Sequence, residues 1–327
     1  MLLFCIFSCG KISEKRIIRI GHNQSETHPT HIGMLAFKKY IEKELGEKYE
    51  VQIFPNELLG SQNDMVQLTQ TGAIDFVVAS NAIMETFQPA YKIFNLPYLF
   101  INERSFADVM NDEKITESIY NSTKKNGFQV VTWLDAGVRS FYTIANPINT
   151  PEDLKGLKIR VQKSPTNIEM MKLLGGAATP MGFGEVYTAL QSNILDGAEN
   201  NELALTNNGH GDVAKYYSYD MHQIIPDLVL GNTKFLENLS IEEYQIFKKG
   251  FKIINEIERK EWKAAVEKAK KIAETKQGVV FSYPDISLFK KAVLPLHKKV
   301  LMENPELEEI YNKIQEKNDK YQKKEGN

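Results

Sequence analysis

Ile74-Asp75-Phe76-Val77-Val78-Ala79 is a short apolar run that stops at the polar pair Ser80-Asn81, the pattern of a buried strand. Upstream of it, residues 63–70 suggest a helix that Gly72 ends. Earlier still, Tyr49-Glu50-Val51-Gln52-Ile53-Phe54 alternates like a half-buried strand. Pro29–Leu45 has amphipathic helical spacing, with a proline suited to the first turn. Arg16-Ile17-Ile18-Arg19-Ile20 opens the series as a further strand. Strand, helix, strand, helix, strand argues for an α/β fold with a parallel, doubly wound sheet covered by helices. Ligands of such sheets sit beyond the carboxyl ends of the strands, which here carry His22-Asn23 and Ser80-Asn81.

A second set follows downstream. Val130-Val131-Thr132-Trp133-Leu134 and Arg139-Ser140-Phe141-Tyr142-Thr143-Ile144 read as strands. Thr150-Pro151-Glu152-Asp153 is a helix start, with a capping threonine, proline at the first position and acid in the first turn. Gly156 stops it, and Leu157-Lys158-Ile159-Arg160-Val161 is a strand with Arg160 near its carboxyl end. Helices are expected over 167–174 and 184–192, and a strand over Ile194-Leu195-Asp196-Gly197-Ala198, with Glu199-Asn200-Asn201 after it. From the capping box Ser240-Ile241-Glu242-Glu243, a charged, proline-free stretch runs to about Lys276. Phe247, Phe251, Ile254 and Ile257 lie at helical spacing within it, and one helix of that length can cross two lobes. The lysine-rich residues 316–327 are expected to fray.

A chain of 327 residues exceeds what one compact core usually carries, so two domains are expected. The formal net charge of −2 gives no global attraction to nucleic acid or an anionic membrane, so any bound anion needs local cations. The start, Met1 to Phe7 and then Ser8-Cys9-Gly10, is an apolar run with small residues at a cut site. It reads as a secretory signal shortened at its charged end, with Cys9 as a lipidated residue and Cys5 lost with the leader. No disulfide or thiol nucleophile is then expected in the mature chain.

No Gly-x-Ser-x-Gly elbow and no phosphate loop is present, and Gly182-Phe183-Gly184 is only half of a dinucleotide fingerprint. His22, His28 and His31 cluster with Glu26, but Pro29 breaks the spacing and no cysteine or second histidine pair completes a metal site. No metal, cofactor or catalysis is expected. Ligand contact from this loop, His28 included, competes with plain structural packing. The arginines are more informative. Across residues 139–235 only Arg139 and Arg160 occur, both on expected strands. A guanidinium matches a carboxylate bidentately and keeps its proton, yet composition alone favours a surface ion pair. Gln162, Glu185, Tyr187 and Glu199-Asn200-Asn201 are hydroxyl-reading types near the same strand ends and helix start, though each also suits a cap or turn.

These residues fall in runs with a family likeness. Asp153-Leu154-Lys155-Gly156-Leu157-Lys158-Ile159-Arg160-Val161-Gln162 resembles the signature segment of TRAP transporter solute-binding proteins. Leu174-Gly175-Gly176-Ala177-Ala178-Thr179-Pro180-Met181 follows, then Phe183-Gly184-Glu185-Val186-Tyr187-Thr188-Ala189-Leu190-Gln191 and Asp196-Gly197-Ala198-Glu199-Asn200. Upstream, Leu58-Leu59-Gly60, Gly72-Ala73-Ile74-Asp75 and Asn95-Leu96-Pro97-Tyr98 are similar to first-lobe motifs. The resemblance implies a two-lobed, periplasmic-binding-protein-like fold, each lobe a mostly parallel sheet flanked by helices, with a long helix spanning both. It implies a monomer outside the cytoplasm that closes on one small organic acid and hands it to the small and large membrane subunits of a permease. The expected division is 1–15 for the signal or lipoprotein segment, 16–137 with 226–265 for the first lobe, and 138–225 with 266–327 for the second.

By resemblance, Arg160 makes the carboxylate salt bridge, Arg139 adds a second cationic contact and Asn200 touches the ligand near its carboxylate. First-lobe contacts come from the loop at His22-Asn23 and from Ser80-Asn81. Sialate-binding members usually carry glutamate where Ser80 stands, which argues against sialate. Gly137-Val138-Arg139-Ser140-Phe141-Tyr142, with Gln162 and Asn200-Asn201, is closer to members that bind hexuronates such as glucuronate or galacturonate. C4-dicarboxylates or sialate are the rival ligands, and a sensor-associated binding protein is the rival role.

Overall fold

The structure, a computed structural model, describes residues 14–325. The leader reading and Cys9 therefore lie outside the described residues. The first lobe begins with β1 (Arg16–Gly21), α1 (Pro29–Leu45), β2 (Tyr49–Phe54), α2 (Gln62–Thr71) and β3 (Phe76–Ser80). α3 (Asn81–Met84), α4 (Glu103–Met110) and α5 (Glu113–Asn121) then lead to β4 (Phe128–Leu134). The chain crosses over and builds β5 (Val138–Thr143), β6 (Lys158–Val161), α6 (Pro165–Leu173), β7 (Ala177–Pro180), α7 (Val186–Gln191), β8 (Gly197–Asn200), α8 (Leu203–Asn207) and β9 (Tyr216–Ile224). It returns through β10 (Asp227–Asn232) and α9 (Thr233–Glu237) to α10 (Ile241–Lys276), then β11 (Val280–Ser282), α11 (Ile286–Glu303) and α12 (Glu308–Glu325).

The first sheet has the order β2-β1-β3-β10-β4 and the second β11-β9-β5-β8-β6-β7. Within each, one strand runs against the rest: β10 in the first and β5 in the second. Both are the strands that have just crossed from the other lobe, so the crossings at residues 135–137 and 225–226 set their direction. The buried runs Ile18, Ile20, Val51, Val78 and Phe76 pack under Phe37, Phe247 and Phe251, which explains why β1 to β3 favour branched and aromatic residues.

α10 also connects the lobes, after the two strand crossings. Its cap is the expected box, Ser240 Oγ accepting from the Glu243 amide while Glu243 Oε2 accepts from the Ser240 amide. Its first half packs on α1 and its second half on α8. Midway, buried Glu258 accepts a hydrogen bond from the Asp135 amide at 3.1 Å, which ties the helix to one crossing strand.

Four differences from the sequence reading have local causes. β3 starts at Phe76 because the Asp75 carboxylate is taken by Arg16 (2.8 Å) and the Arg19 amide (2.9 Å). β8 starts at Gly197, since Asp196 turns to accept from the Lys158 amide, and so Glu199 and Asn200 lie within the strand. β9 and β10 had no counterpart in the sequence reading. Finally, the C-terminal segment 266–327 does not stay with the second lobe. α11 lies against α6 and β9, but α12 packs on α4 and α5 of the first lobe. Leu307, Ile310 and Ile314 fill the core there, Lys317 reaches Asp108 and Asp112, and Asn318 donates to the Leu99 carbonyl, so the expected fraying is absent around these anchors.

Candidate functional site

The carboxyl ends of both sheets face a shared cleft. From the first lobe it is lined by loops after β1 (Asn23, Gln24), β2 (Glu57, Ser61 to Asn63) and β3 (Ser80, Ile83). The second lobe supplies Arg139, Arg160 with Gln162 and Lys163, Met181 to Phe183, and Asn200-Asn201. Ala136 and Asp227 at the crossings, and Trp262 of α10, form its back. Gly137 at that back holds φ +65°, and a Cβ there would stand 3.0 Å from the Trp262 ring, so glycine is required for both reasons.

Arg160 is buried, with Nε and Nη2 donating to one acceptor, the Met181 carbonyl, at 3.2 and 3.0 Å. Among the described residues no carboxylate comes within ion-pair distance of it. Burial lowers its pKa, and Glu199 and Glu57 counter this only from further away. A buried guanidinium without a carboxylate partner is an unusual arrangement, and its free edge faces the cleft.

Arg139 is held differently. Nε donates to Glu199 Oε2 at 2.5 Å, Nη1 to Asn200 Oδ1 at 2.9 Å and Nη2 to the Glu199 carbonyl at 2.8 Å. Arg139 also lines the cleft, where Glu199 answers its charge and Nη1 holds Asn200 in place. Asn200 Oδ1 also accepts from the Asn201 amide, which leaves the Asn200 amide nitrogen for the cleft. The chain of charges continues inward. His222 Nδ1 lies 2.7 Å from Asp220 Oδ2, and its Nε2 3.6 Å from Glu199. Burial would lower the His222 pKa, but Asp220 and Glu199 raise it to about 9. Glu199, despite its burial, is held at about 2 by Arg139 and His222. Arg139 and His222 thus answer the Glu199 charge from two directions.

Of the other expected contacts, Asn23, Ser80 and Gln162 line the cleft. Asn23 Oδ1 is buried and has no partner, and the Ser80 amide donates to Gln62 Oε1 at 3.1 Å. Three of the expected residues do not line the cleft. Glu185 is exposed and accepts from the Gly182 amide as a cap (3.0 Å), because the turn before α7 needs an acceptor. His28 caps α1 through Nδ1 and packs edge-on to Trp262 behind the cleft wall. Asn81 points away, donating to the Tyr91 carbonyl at 3.0 Å. His22 bonds His31 at 3.0 Å, and burial holds its pKa down to about 3, so this pair packs as neutral rings.

Sequence reasoning missed Glu57, Gln62, Asp227 and Trp262. The strand-end rule that selected the loops after β1 and β3 applies equally after β2 and would have reached Glu57. Asp227 and Trp262 carried no such signal.

The family model for bacterial extracellular solute-binding proteins, family 7 (DctP), matches residues 20–304. The uncharacterised protein YiiZ of Salmonella typhimurium is 40% identical over 299 residues, 91% of each chain. A TRAP periplasmic solute-binding protein from Anaerococcus prevotii, solved with bound α/β-D-glucuronate, is 60% identical. Its TM-score is 0.93, covering 94% of this chain and 99% of that one. A second, from Sulfitobacter with bound β-D-galacturonate, is 33% identical with a TM-score of 0.88, covering 91% and 98%. With its two lobes, its cleft and a match over most of its length, this chain belongs to the family 7 bacterial extracellular solute-binding proteins.

Proposed function

We propose that the protein is the binding subunit of a TRAP transporter outside the cytoplasm, and that its cargo is a hexuronate such as D-glucuronate or D-galacturonate. One observation carries the reading: among the described residues Arg160 is a buried cation whose only hydrogen-bond partner is a neutral carbonyl, and it borders a cleft rich in amides. A ligand carboxylate completes its hydrogen bonding, and charge-assisted bonds of this kind are roughly twice as strong as neutral ones. Gln162, Asn200, Asn23 and Ser80 then meet ring hydroxyls, which both donate and accept. The ligands named for the two solved relatives fit the same chemistry.

The work of the protein is capture by closure, and no bond is made or broken. Glu57 already spans the lobes to the Gly184 amide, and Asn207 of the second lobe donates to Ser25 and Thr27 of the first at 3.3 Å. A ligand that touches both lobes favours this closed arrangement by its differential contacts. Micromolar affinity needs only about 8 kcal/mol net, within reach of one charged pair and several hydroxyl contacts. Delivery is to the two membrane subunits of the permease. Among the described residues no helix is long and apolar enough to cross a membrane. Retention at the membrane would rest on the lipidated Cys9.

A thermal-shift screen of hexuronates, aldonates, sialate and C4-dicarboxylates tests the reading, followed by calorimetry on every hit. Hexuronates are expected to give the largest shift, about 2.7 kcal/mol of stabilisation at a hundredfold excess over Kd. A shift from dicarboxylates alone, or from none of these acids, would refute it.

A further inference from the structure

Glu57 sits in the loop after β2, and both it and Asn56 hold φ 56°, a conformation that residues other than glycine seldom adopt. The turn is fixed by the Glu57 amide donating to the His22 carbonyl (3.2 Å) and the Glu57 carbonyl accepting from the Gly60 amide (2.9 Å). It carries the side chain across the cleft. Oε2 accepts from the Gly184 amide of the opposite lobe at 3.1 Å, where a Cβ on residue 184 would stand only 2.5 Å from that oxygen. Oε1 is buried and has no partner, and the residue lines the cleft together with Arg160. A carboxylate oxygen left bare in a closed cleft is an acceptor awaiting a donor.

We infer that Glu57 is a specificity-determining residue of the cleft: its free oxygen accepts a hydroxyl of the bound sugar acid, and its charge rejects ligands that carry a second carboxylate. The inference rests on the hexuronate reading above and adds the reason for it. Arg139 is neutralised by Glu199, so one buried guanidinium, Arg160, remains for one ligand carboxylate. A diacid of similar size would bring its second anion against Glu57 or against Asp227, the other carboxylate lining the cleft. Neither offers a proton donor when ionised, and like charges at short range in a closed cleft repel strongly. A hydroxyl at the same place meets a charged acceptor instead. The Glu57–Gly184 bond joins the lobes, so the choice is made on closure.

Calorimetry at pH 7.5 with D-glucuronate and with D-glucarate, the diacid of the same carbon skeleton, tests this on the wild type, Glu57→Gln and Glu57→Ala. The wild type is expected to bind glucuronate at least about a hundredfold more tightly than glucarate. Glu57→Gln keeps the size and the acceptor but removes the charge. It should lose about tenfold for glucuronate and gain about tenfold for glucarate. Glu57→Ala should weaken glucuronate further and still relieve the rejection of glucarate. Unchanged discrimination in both variants, with ligand-free melting temperatures like the wild type, overturns the role of Glu57 while leaving the hexuronate reading intact. A wild type that binds glucarate as tightly as glucuronate also overturns it. A wild type that binds neither glucuronate nor galacturonate removes the hexuronate reading first, and this inference with it.

Discussion

A guanidinium buried against a carboxylate and one buried against a lone carbonyl face different electrostatic situations, and this protein places one of each at its cleft. Arg139 is engaged by Glu199 and Asn200, so its loss would leave His222 as the cation answering Glu199 in the interior. Arg160 has an open edge, and in the function proposed above the ligand carboxylate answers its charge. Arg160→Lys preserves the charge and removes the fork. It is expected to weaken hexuronate binding at least about tenfold, and Arg160→Met to cost about 3 kcal/mol or more, both read by calorimetry. Binding unchanged in the lysine variant would refute bidentate recognition. His222 supports the same wall from behind. Its pKa in the folded state, about 9, lies above the ordinary 6.5, so the native state holds the proton more tightly than the unfolded chain does. Its contribution to stability is fully present below pH 6.5 and is lost as pH rises through about 9. Urea unfolding between pH 6 and 9.5 should show that decline, and His222→Gln should flatten it while lowering stability at pH 6 by about 3 kcal/mol.

At the scale of elements, α10 is about 54 Å long at 1.5 Å per residue, long enough to touch both lobes. Its contact with α1 is close because Gly250 faces Phe37, where a Cβ would lie 2.8 Å from the ring. Phe37 is then free to stack on Phe251 at 5.7 Å between ring centres. Gly250→Val is expected to overpack this crossing and cost about 1–3 kcal/mol in urea unfolding, with hexuronate affinity at 25 °C nearly unchanged. A large loss of affinity in that variant would mean that the crossing governs closure as well as stability. Caps and breaks in the sequence located this helix well, because the Ser240 box and the heavy charge on its outer face are local signals. β9 and β10 escaped the same reading. Met221 interrupts β9 with φ +50°, and Pro226 and Gly231 bracket the apolar part of β10, so neither shows a long regular pattern.

Across the whole molecule the lobes are fastened on one side and latched on the other. Below the crossings, Asn95 of the first lobe donates to Glu85, Ser164 and Asn167, Glu85 accepts from Ser164 and the Thr166 amide, and Gln223 donates to Asn167. Tyr98 adds bonds to the His222 and Asp220 carbonyls. These bonds are buried and numerous, whereas among the described residues the cleft rim has only Glu57–Gly184 and Asn207 with Ser25 and Thr27. Opening is therefore expected at the rim, with the buried network as the pivot side. Asn207→Ala should weaken hexuronate binding by a few fold, about 1 kcal/mol for exposed polar contacts of this kind, without altering ligand-free stability. Small-angle scattering should show the wild type contracting on ligand addition and the variant needing more ligand for the same contraction.

By itself the sequence determined the local elements and the chemical type of the site. Period and caps gave β1 to β3 and α10, and the family likeness of the run from Asp153 to Asn200 implied the carboxylate contact now proposed for Arg160. Tertiary structure alone decided which polar residues face the cleft. Glu199 meets Arg139 because β5 pairs with β8 in the register Phe141↔Glu199, a contact sixty positions apart that no local pattern encodes. The same holds for Glu57 and Gly184, brought together from different lobes, and for Glu185 and His28, which local geometry spends on caps. Residue type fixes what a side chain can bind, but only the packing of distant strands fixes which of its bonds are already taken.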